Sequence, residues 1–328
     1  MYKVKVENLK QLDICISSKN VSEIILSRDS FAEPNLPKLI NKVKKSGKLA
    51  WIMLERISRY EEIKDLRIGT DKIFEISNLD GLIIQNLDSF AYMLRKINKV
   101  ANDKLMVELN YTMNCYNSET KKVHEKLYNE KRDNANLVPL LFTSPVELNT
   151  YELAEVGYDT MIVYSYIDTM ITANCLRKTT EEIAAKHLVA KDKSVGAKDK
   201  SVGAKHCEPI CKHRFDYNNV HDFSSYIIDR KGKQLHYKTY CKYCYNKIFN
   251  TEPLFLLDKL DEISKSKIIG AKHKSVGAKH ESVGAKHCEP LCRYRIDFSF
   301  ENEKEVTNIL KGKCPDSFTR GHFKNSIN

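Results

Sequence analysis

At 328 residues, 42% hydrophobic and 30% charged, the chain can bury a substantial core, and its composition is that of neither a disordered nor a membrane-embedded protein. No run of about 18 or more apolar residues occurs, so no transmembrane helix is expected. Residues 1–7 lack the apolar centre of a signal peptide. A cytoplasmic location is therefore expected, where ten cysteines read as thiols and metal ligands rather than as a disulfide framework. The net charge of +11 is concentrated in residues 186–214 and 267–295, each tract carrying +5, so the rest of the chain is close to neutral. That argues against a broad phosphate-binding face.

In chain order, short runs rich in Val, Ile, Leu and Met predict strands at 2–7, 23–27, 49–54, 81–85, 105–109, 137–142 and 160–164. Helical patterns predict helices at 36–45, 89–101, 118–130 and 145–156, the last with Ser144 as cap and Pro145 in its first turn. Strands alternating with helices point to parallel pairing, in a closed barrel or an open doubly wound sheet. No G-x-G-x-x-G or phosphate-binding loop follows a strand, so a (β/α) TIM-barrel-like domain is favoured over a nucleotide fold. Functional groups then belong at the C-terminal ends of the strands, where Glu108, Asn110, Glu147, Asn149, Tyr164 and Tyr166 lie. Glu147 also suits the first turn of a helix, where a carboxylate is favoured in any case.

Two tracts interrupt this pattern. Ser194-Val-Gly-Ala-Lys-Asp-Lys200 and Ser201-Val-Gly-Ala-Lys-His-Cys207 lead into Glu208-Pro209-Ile210-Cys211. Ser275-Val-Gly-Ala-Lys-His-Glu281 and Ser282-Val-Gly-Ala-Lys-His-Cys288 lead into Glu289-Pro290-Leu291-Cys292. Each unit holds a Gly and no large apolar residue, so the seven-residue period cannot build a coiled-coil seam and reads as a loop insertion spread by duplication. The alternative is that His206, Cys207, Cys211, His287, Cys288 and Cys292 together bind zinc. The expected organisation is a barrel-like domain over 1–180, a repeat insertion at 181–213, a small cysteine-bearing metal-binding region at 214–266, a second insertion at 267–293, and a closing segment at 294–328.

Cys15, Cys115 and Cys314 stand alone in the sequence, the first two reading as buried small residues. Cys241-Lys242-Tyr243-Cys244 differs, because its spacing turns two thiolates toward one metal ion or cluster. A redox pair is the alternative, but the flanking tyrosines and lysines do not supply the strand-to-helix setting of a thioredoxin-like site. Cys175 offers a third thiol, and Cys211 or Cys207 a fourth.

Several stretches together resemble peptidase family U32, the collagenase-like group: Ser144-Pro-Val-Glu-Leu-Asn149, Val163-Tyr164 leading to Met170 and Cys175, Asp229-Arg230, Cys241-x-x-Cys244-Tyr245-Asn246 with Asn250 and Pro253-Leu254, and Phe318-Thr-Arg-Gly-His-Phe323. The resemblance runs from Val6 to the end, breaks at the two tracts, and is to the C-terminal half of the large members. It implies a four-cysteine [4Fe–4S] cluster on Cys175, Cys211, Cys241 and Cys244, with Cys207 as the alternative fourth ligand and zinc as the alternative metal. It also implies oxygen-independent hydroxylation of transfer or ribosomal RNA or of a small aromatic substrate, with Glu147, Asn149 and Tyr164 near that substrate. A peptidase acting on a peptide substrate is the second reading, although the sequence holds no H-E-x-x-H, no G-x-S-x-G and no Cys flanked as in cysteine proteases. A non-catalytic half or remnant, working with a partner chain that supplies the other barrel, is the third. Arg320 and His322 read as structural anchors or as contacts to an anion.

Overall fold

The structure, a computed structural model, describes residues 1–58, 63–102, 104–131, 138–177, 179, 216–220, 222–265 and 293–323. Both repeat tracts, with Cys207, Cys211, Cys288 and Cys292, lie outside the described residues. The chain divides into two compact units, Met1–Tyr166 with Glu252–Asn328, and Ile167–Thr251.

The first unit opens with β1 (Tyr2–Val6), α1 (Leu9–Ser17), β2 (Val21–Ser27), α2 (Leu36–Lys45), β3 (Leu49–Met53), α3 (Ile63–Phe74) and β4 (Gly81–Ile84). It continues with α4 (Leu87–Lys96), β5 (Met106–Leu109), α5 (Ser118–Lys131), β6 (Leu140–Phe142), α6 (Thr150–Val156) and β7 (Thr160–Ser165). The second unit holds β8 (Asp168–Thr172), β9 (Asp222–Ile228), β10 (Gln234–Tyr240) and β11 (Tyr245–Phe249). The chain then returns to the first unit with β12 (Leu254–Phe255), α7 (Leu260–Lys265), β13 (Arg293–Asp297) and α8 (Glu303–Leu310).

All seven expected strands are present, and an eighth, β13, inserts between β7 and β1 with parallel pairing on both sides. The sheet order is β12-β7-β13-β1-β2-β3-β4-β5-β6, parallel except for β12. Its far edge curls back: Thr143 bridges to Thr160, Ser144 N–H donates to the Thr160 carbonyl at 2.8 Å, and Asp159 N–H to that of Phe142 at 3.0 Å. The expected barrel is thus a curled, mostly parallel sheet of TIM-like type whose ends meet at one bridge among the described residues. β12 takes the other half of β7's edge, with Leu254 opposite Ser165 and Phe255 opposite Tyr164.

One expectation needs correction. The helix expected at 145–156 starts at Thr150, and its cap is Asn149 rather than Ser144. The Asn149 side-chain Oδ1 accepts from the N–H groups of Tyr151 (2.9 Å) and Glu152 (3.1 Å), while the Glu152 carboxylate accepts from Asn149 N–H at 2.9 Å. This reciprocal pair satisfies helix-end donors that a cap at Ser144 would leave open. The segment after 214, expected to bind a metal, contributes β9, β10 and β11 to a four-stranded antiparallel sheet of order β8-β11-β10-β9, and among the described residues no three His, Cys, Asp or Glu group to hold a metal ion. No helix among the described residues is long and apolar enough to cross a membrane.

Alternate strand residues turn into the barrel. Ile25, Trp51, Met53, Ile83 and Leu141 form one buried cluster there. Trp51, the single tryptophan, lies across Gly81, where a Cβ would come within 2.3 Å of its indole ring. Above the ring stands Lys3, its Nζ 3.0 Å from a ring centroid and 2.6 Å from Glu108 Oε2. Glu108 also accepts from Thr143 Oγ1 at 2.6 Å and Thr160 Oγ1 at 3.1 Å. In sheet order β1 and β5 lie four strands apart in the ring of eight, so the Lys3–Glu108 pair spans the barrel. Burial lowers the Lys3 ammonium, Glu108 and Glu23 pull it partly back, and the result is about 8. Burial pushes the Glu108 carboxyl up, but Lys3, Arg295 and the Thr143 hydroxyl outweigh it and hold it below its ordinary value.

Gly81→Ala should destabilise the barrel by about 1–3 kcal/mol through overpacking against Trp51, read by denaturant unfolding and by a change in Trp51 fluorescence. Lys3→Met or Glu108→Leu alone should cost about 3–5 kcal/mol, because each strands a buried charge, while the double variant should recover most of the loss. Unchanged stability in either single variant would refute the coupling. The lowered carboxyl of Glu108 means that below its unfolded value the unfolded chain binds the proton first. Wild-type stability should therefore fall as the pH drops through and below the ordinary carboxylate range, with a component missing from the double variant.

Candidate functional site

Beyond the strand ends the barrel continues as a polar layer. Lys5 Nζ donates to Glu7 Oε1 at 2.6 Å, and Ser30 Oγ donates to the other Glu7 oxygen. Arg295 holds Asp297 with two bonds of 2.6 and 2.7 Å and reaches Asn110 Oδ1 at 2.9 Å. Thr112 Oγ1 donates to the Gln85 carbonyl at 2.8 Å. Arg28, fully buried after β2, bonds Glu55 Oε2 at 2.9 Å, Thr70 Oγ1 at 3.0 Å and the Leu66 carbonyl at 3.1 Å, fixing α3 to the sheet. Gly69 leaves room for this side chain, since a Cβ there would lie 2.1 Å from Arg28 Nη2 and would have to displace it. Burial works against the Lys5 ammonium, but Glu7 and Asp297 more than offset it and raise its pKa. Each of these cations meets a carboxylate, so the layer carries no surplus positive potential aimed at a phosphate.

Each expected catalytic residue has its own surroundings. Asn149 is buried and its side chain caps α6. Tyr164 is 2% exposed, packed on Phe255 and Phe298, and burial followed by the charge of Glu301 drives its hydroxyl far above the ordinary range. Tyr166 packs edge-on against Phe300 and is pushed up to about 12 by burial and by Glu301. Glu147 is exposed, in the loop before α6, where it faces the hydroxyl of Tyr116, which burial first and Glu147 second push up. Glu108 and Asn110 are both buried inside the barrel network. Arg320 grips the Asp258 carboxylate with two bonds, donates to the Phe255 carbonyl at 2.6 Å and lies 4.5 Å from the Phe318 ring centre, so it anchors the ending. That bond is the main reason the Asp258 carboxyl sits low.

A contact the sequence did not predict joins Cys115 to His124, with Sγ 3.7 Å from Nδ1. Burial pushes the Cys115 thiol up to about 11, and His124 Nδ1 is 2.9 Å from the Thr120 carbonyl, to which it donates. A buried, weakly acidic thiol whose imidazole neighbour is already committed is not an activated nucleophile. Cys15 is likewise buried and pushed up to about 12, and Cys314 is exposed.

The Cys241–Cys244 pair occupies the turn that joins β10 to β11, just beyond the Tyr240–Tyr245 pair. Tyr243 N–H donates to the Tyr240 carbonyl and Cys244 N–H to that of Cys241, each at 3.2 Å, and Cys244 has φ +52. A non-glycine residue in the left-handed region is uncommon and closes this turn tightly. Cys241 is buried and Cys244 half-buried. Cys175 follows the end of β8, where Asn246 Nδ2 donates to the carbonyls of Asn174 (2.5 Å) and Thr172 (3.3 Å). All three thiols thus belong to one end of the four-stranded sheet. Cys211 lies outside the described residues, six positions before Tyr217, whose ring packs 5.9 Å from that of Tyr243 in the turn. As a donor set these soft thiolates suit iron–sulfur or zinc in kind, although they do not form a closed three-donor group among the described residues.

No known protein family matches the chain, and no curated protein matches it. Among solved structures, the chain is similar to that of the U32 peptidase Mk0906, with a TM-score of 0.37 and 11% identity over 60% of this chain and 80% of that one. At that identity no residue role transfers from it.

Proposed function

We propose that the four-stranded unit holds a thiolate-ligated metal group, a [4Fe–4S] cluster with zinc as the alternative, on Cys175, Cys241, Cys244 and Cys211. The observation that carries this reading is the Cys241–Cys244 turn, with Cys244 held at φ +52 and Cys175 tethered beside it through Asn174. Two thiols on a tight hairpin turn are the arrangement that zinc ribbons and related sites use to present a ligand pair. Thiolate sites close as metal binds, because ligand repulsion and desolvation oppose closure without it. Cys211 is within chain reach, since six residues span up to about 20 Å; Cys207 is the alternative fourth ligand.

In this reading the chain is a U32-type protein that carries out oxygen-independent hydroxylation of RNA or of a small aromatic molecule. The cluster when bound would supply one-electron chemistry. This chain's own residues would supply the rigid barrel and, at its rim, Glu147 with Tyr116 as the exposed polar groups. Among the described residues the peptidase reading rests on the Cys115–His124 contact, and the burial of that thiol counts against it. Pairing with a partner chain that supplies a second barrel is compatible with the metal reading.

Anaerobic purification with a visible spectrum and iron, sulfide and zinc analysis tests the proposal. The expected result is a brown protein with about four irons per chain, colourless as Cys241→Ala, Cys244→Ala, Cys175→Ala or Cys211→Ala and unchanged as Cys314→Ala. A colourless protein free of iron and zinc would end it.

A further inference from the structure

Three cations at the strand ends, Lys5, Arg28 and Arg295, each hold a carboxylate at 2.6 to 2.9 Å. Arg56, just past the end of β3, does not. Its Nη1 donates to the Gln85 carbonyl at 3.2 Å, and its Nε is buried with no hydrogen-bond partner among the described residues. No described carboxylate pairs with it. Glu55, its neighbour in the chain, is committed to Arg28 through Oε2 and to Ser89 and Ser58 through Oε1. Asp88, just past Gln85, faces Arg67 at 3.3 Å. The Gln85 carbonyl also accepts from Thr112 Oγ1 at 2.8 Å. The Gln85 amide is fixed in turn, with Nε2 donating to the Leu54 carbonyl and Oε1 3.4 Å from Asn110 Nδ2. One corner of the guanidinium is thus pinned at the ends of β3, β4 and β5, while the residue as a whole is half-buried and reachable from solvent.

A buried N–H without an acceptor costs the desolvation of that group, and more when the group is charged. The other three cations escape this cost through a carboxylate of the protein, and Arg56 has none. We propose that Arg56 binds the carboxylate of a small organic ligand through the edge formed by Nε–H and an Nη–H; no thiol and no metal enters this inference. That edge grips a carboxylate with two parallel bonds, a geometry that lysine cannot reproduce. One cation without a partner matches one negative charge. A phosphate monoester carries up to about two near neutral pH, and its second charge would meet cations that are already neutralised. The C-terminal ends of the strands are also where barrels of this type place their ligands.

The test is nuclear magnetic resonance on the full-length protein with isotope-labelled arginine, titrated with benzoate, with its neutral counterpart benzamide, and with inorganic phosphate. The Arg56 Nε–H signal is assigned by its absence from the spectrum of Arg56→Lys. Benzoate should move that signal saturably, and benzamide should not. Benzoate affinity, read from the ligand's own signals, should fall at least about 10-fold in Arg56→Gln and in Arg56→Lys, the loss of one charge-assisted bond or more. It should stay unchanged in Arg67→Gln. Circular dichroism follows the fold of each variant, and Arg56→Lys serves alone if Arg56→Gln does not fold. A benzoate titration that leaves the Arg56 signal unmoved overturns the proposal and reduces Arg56 to a tie on the Gln85 carbonyl. Affinity that survives substitution of Arg56 puts the carboxylate elsewhere and overturns it too. A saturable shift with phosphate in place of benzoate overturns the assignment to a carboxylate.

Discussion

A barrel of eight parallel strands has room inside only for side chains, and here the middle of that space is given to a charge pair. Lys3 and Glu108 meet across the barrel at 2.6 Å, with Trp51 under the ammonium and Gly81 under Trp51. Desolvating two charges costs several kcal/mol per ion, and only tight geometry with further hydrogen bonds offsets it. Those bonds come from Thr143 and Thr160, the two residues whose backbones bring β6 to β7. Satisfying the buried carboxylate and closing the ring are therefore one structural event. A sheet that opened between β6 and β7 would leave Glu108 with Lys3 and too few donors.

The same economy continues toward the strand ends, where Lys5 with Glu7, Arg295 with Asp297 and Arg28 with Glu55 repeat the pairing of one cation with one carboxylate. A network whose members satisfy one another is rigid, which suits a scaffold better than a site that must exchange protons. Cys241 and Cys244 belong to the other unit, on the turn between β10 and β11, outside this network.

Much of the fold was legible in the sequence. Parallel strands buried on both faces give short apolar runs such as those of β2, β3 and β4, and these were placed closely. The eighth strand was hidden because it follows a basic repeat tract and spends two of its five positions, Arg293 and Arg295, on cations that end up in the barrel. Charge that reads as a solvated segment in a sequence is here interior. The alternation of Lys3, Lys5 and Glu7 with Val4 and Val6 carried the same message, but period two equally describes a strand with one wet face. The candidate site divides the same way. The C-x2-C spacing of Cys241 and Cys244 is visible in the sequence, whereas the bonds of the Asn246 amide are not, because its partners, the Thr239 hydroxyl and the carbonyls of Thr172 and Asn174, are brought to it by the fold. Asn149 resembled a site residue because an Asn before a helix and a polar residue at a strand end look identical until the N–H groups it accepts from are seen.

The position of β13 between β1 and β7 has a bearing on how the protein is made. Ser165 ends β7, and Arg293 begins the strand that pairs with it, so about 130 residues separate the two partners along the chain. At a synthesis rate of about 5–20 residues per second the ribosome needs roughly 6 to 25 s to cover that interval. Throughout it, β1 and β7 each present an unpaired parallel edge, the kind of surface that recruits foreign strands. The repeat tracts lie within this interval and so lengthen the nascent chain's exposure. For a barrel completed last by a strand inserted between two waiting neighbours, every residue added before β13 acts on folding yield in the cell, even where it leaves the finished structure untouched.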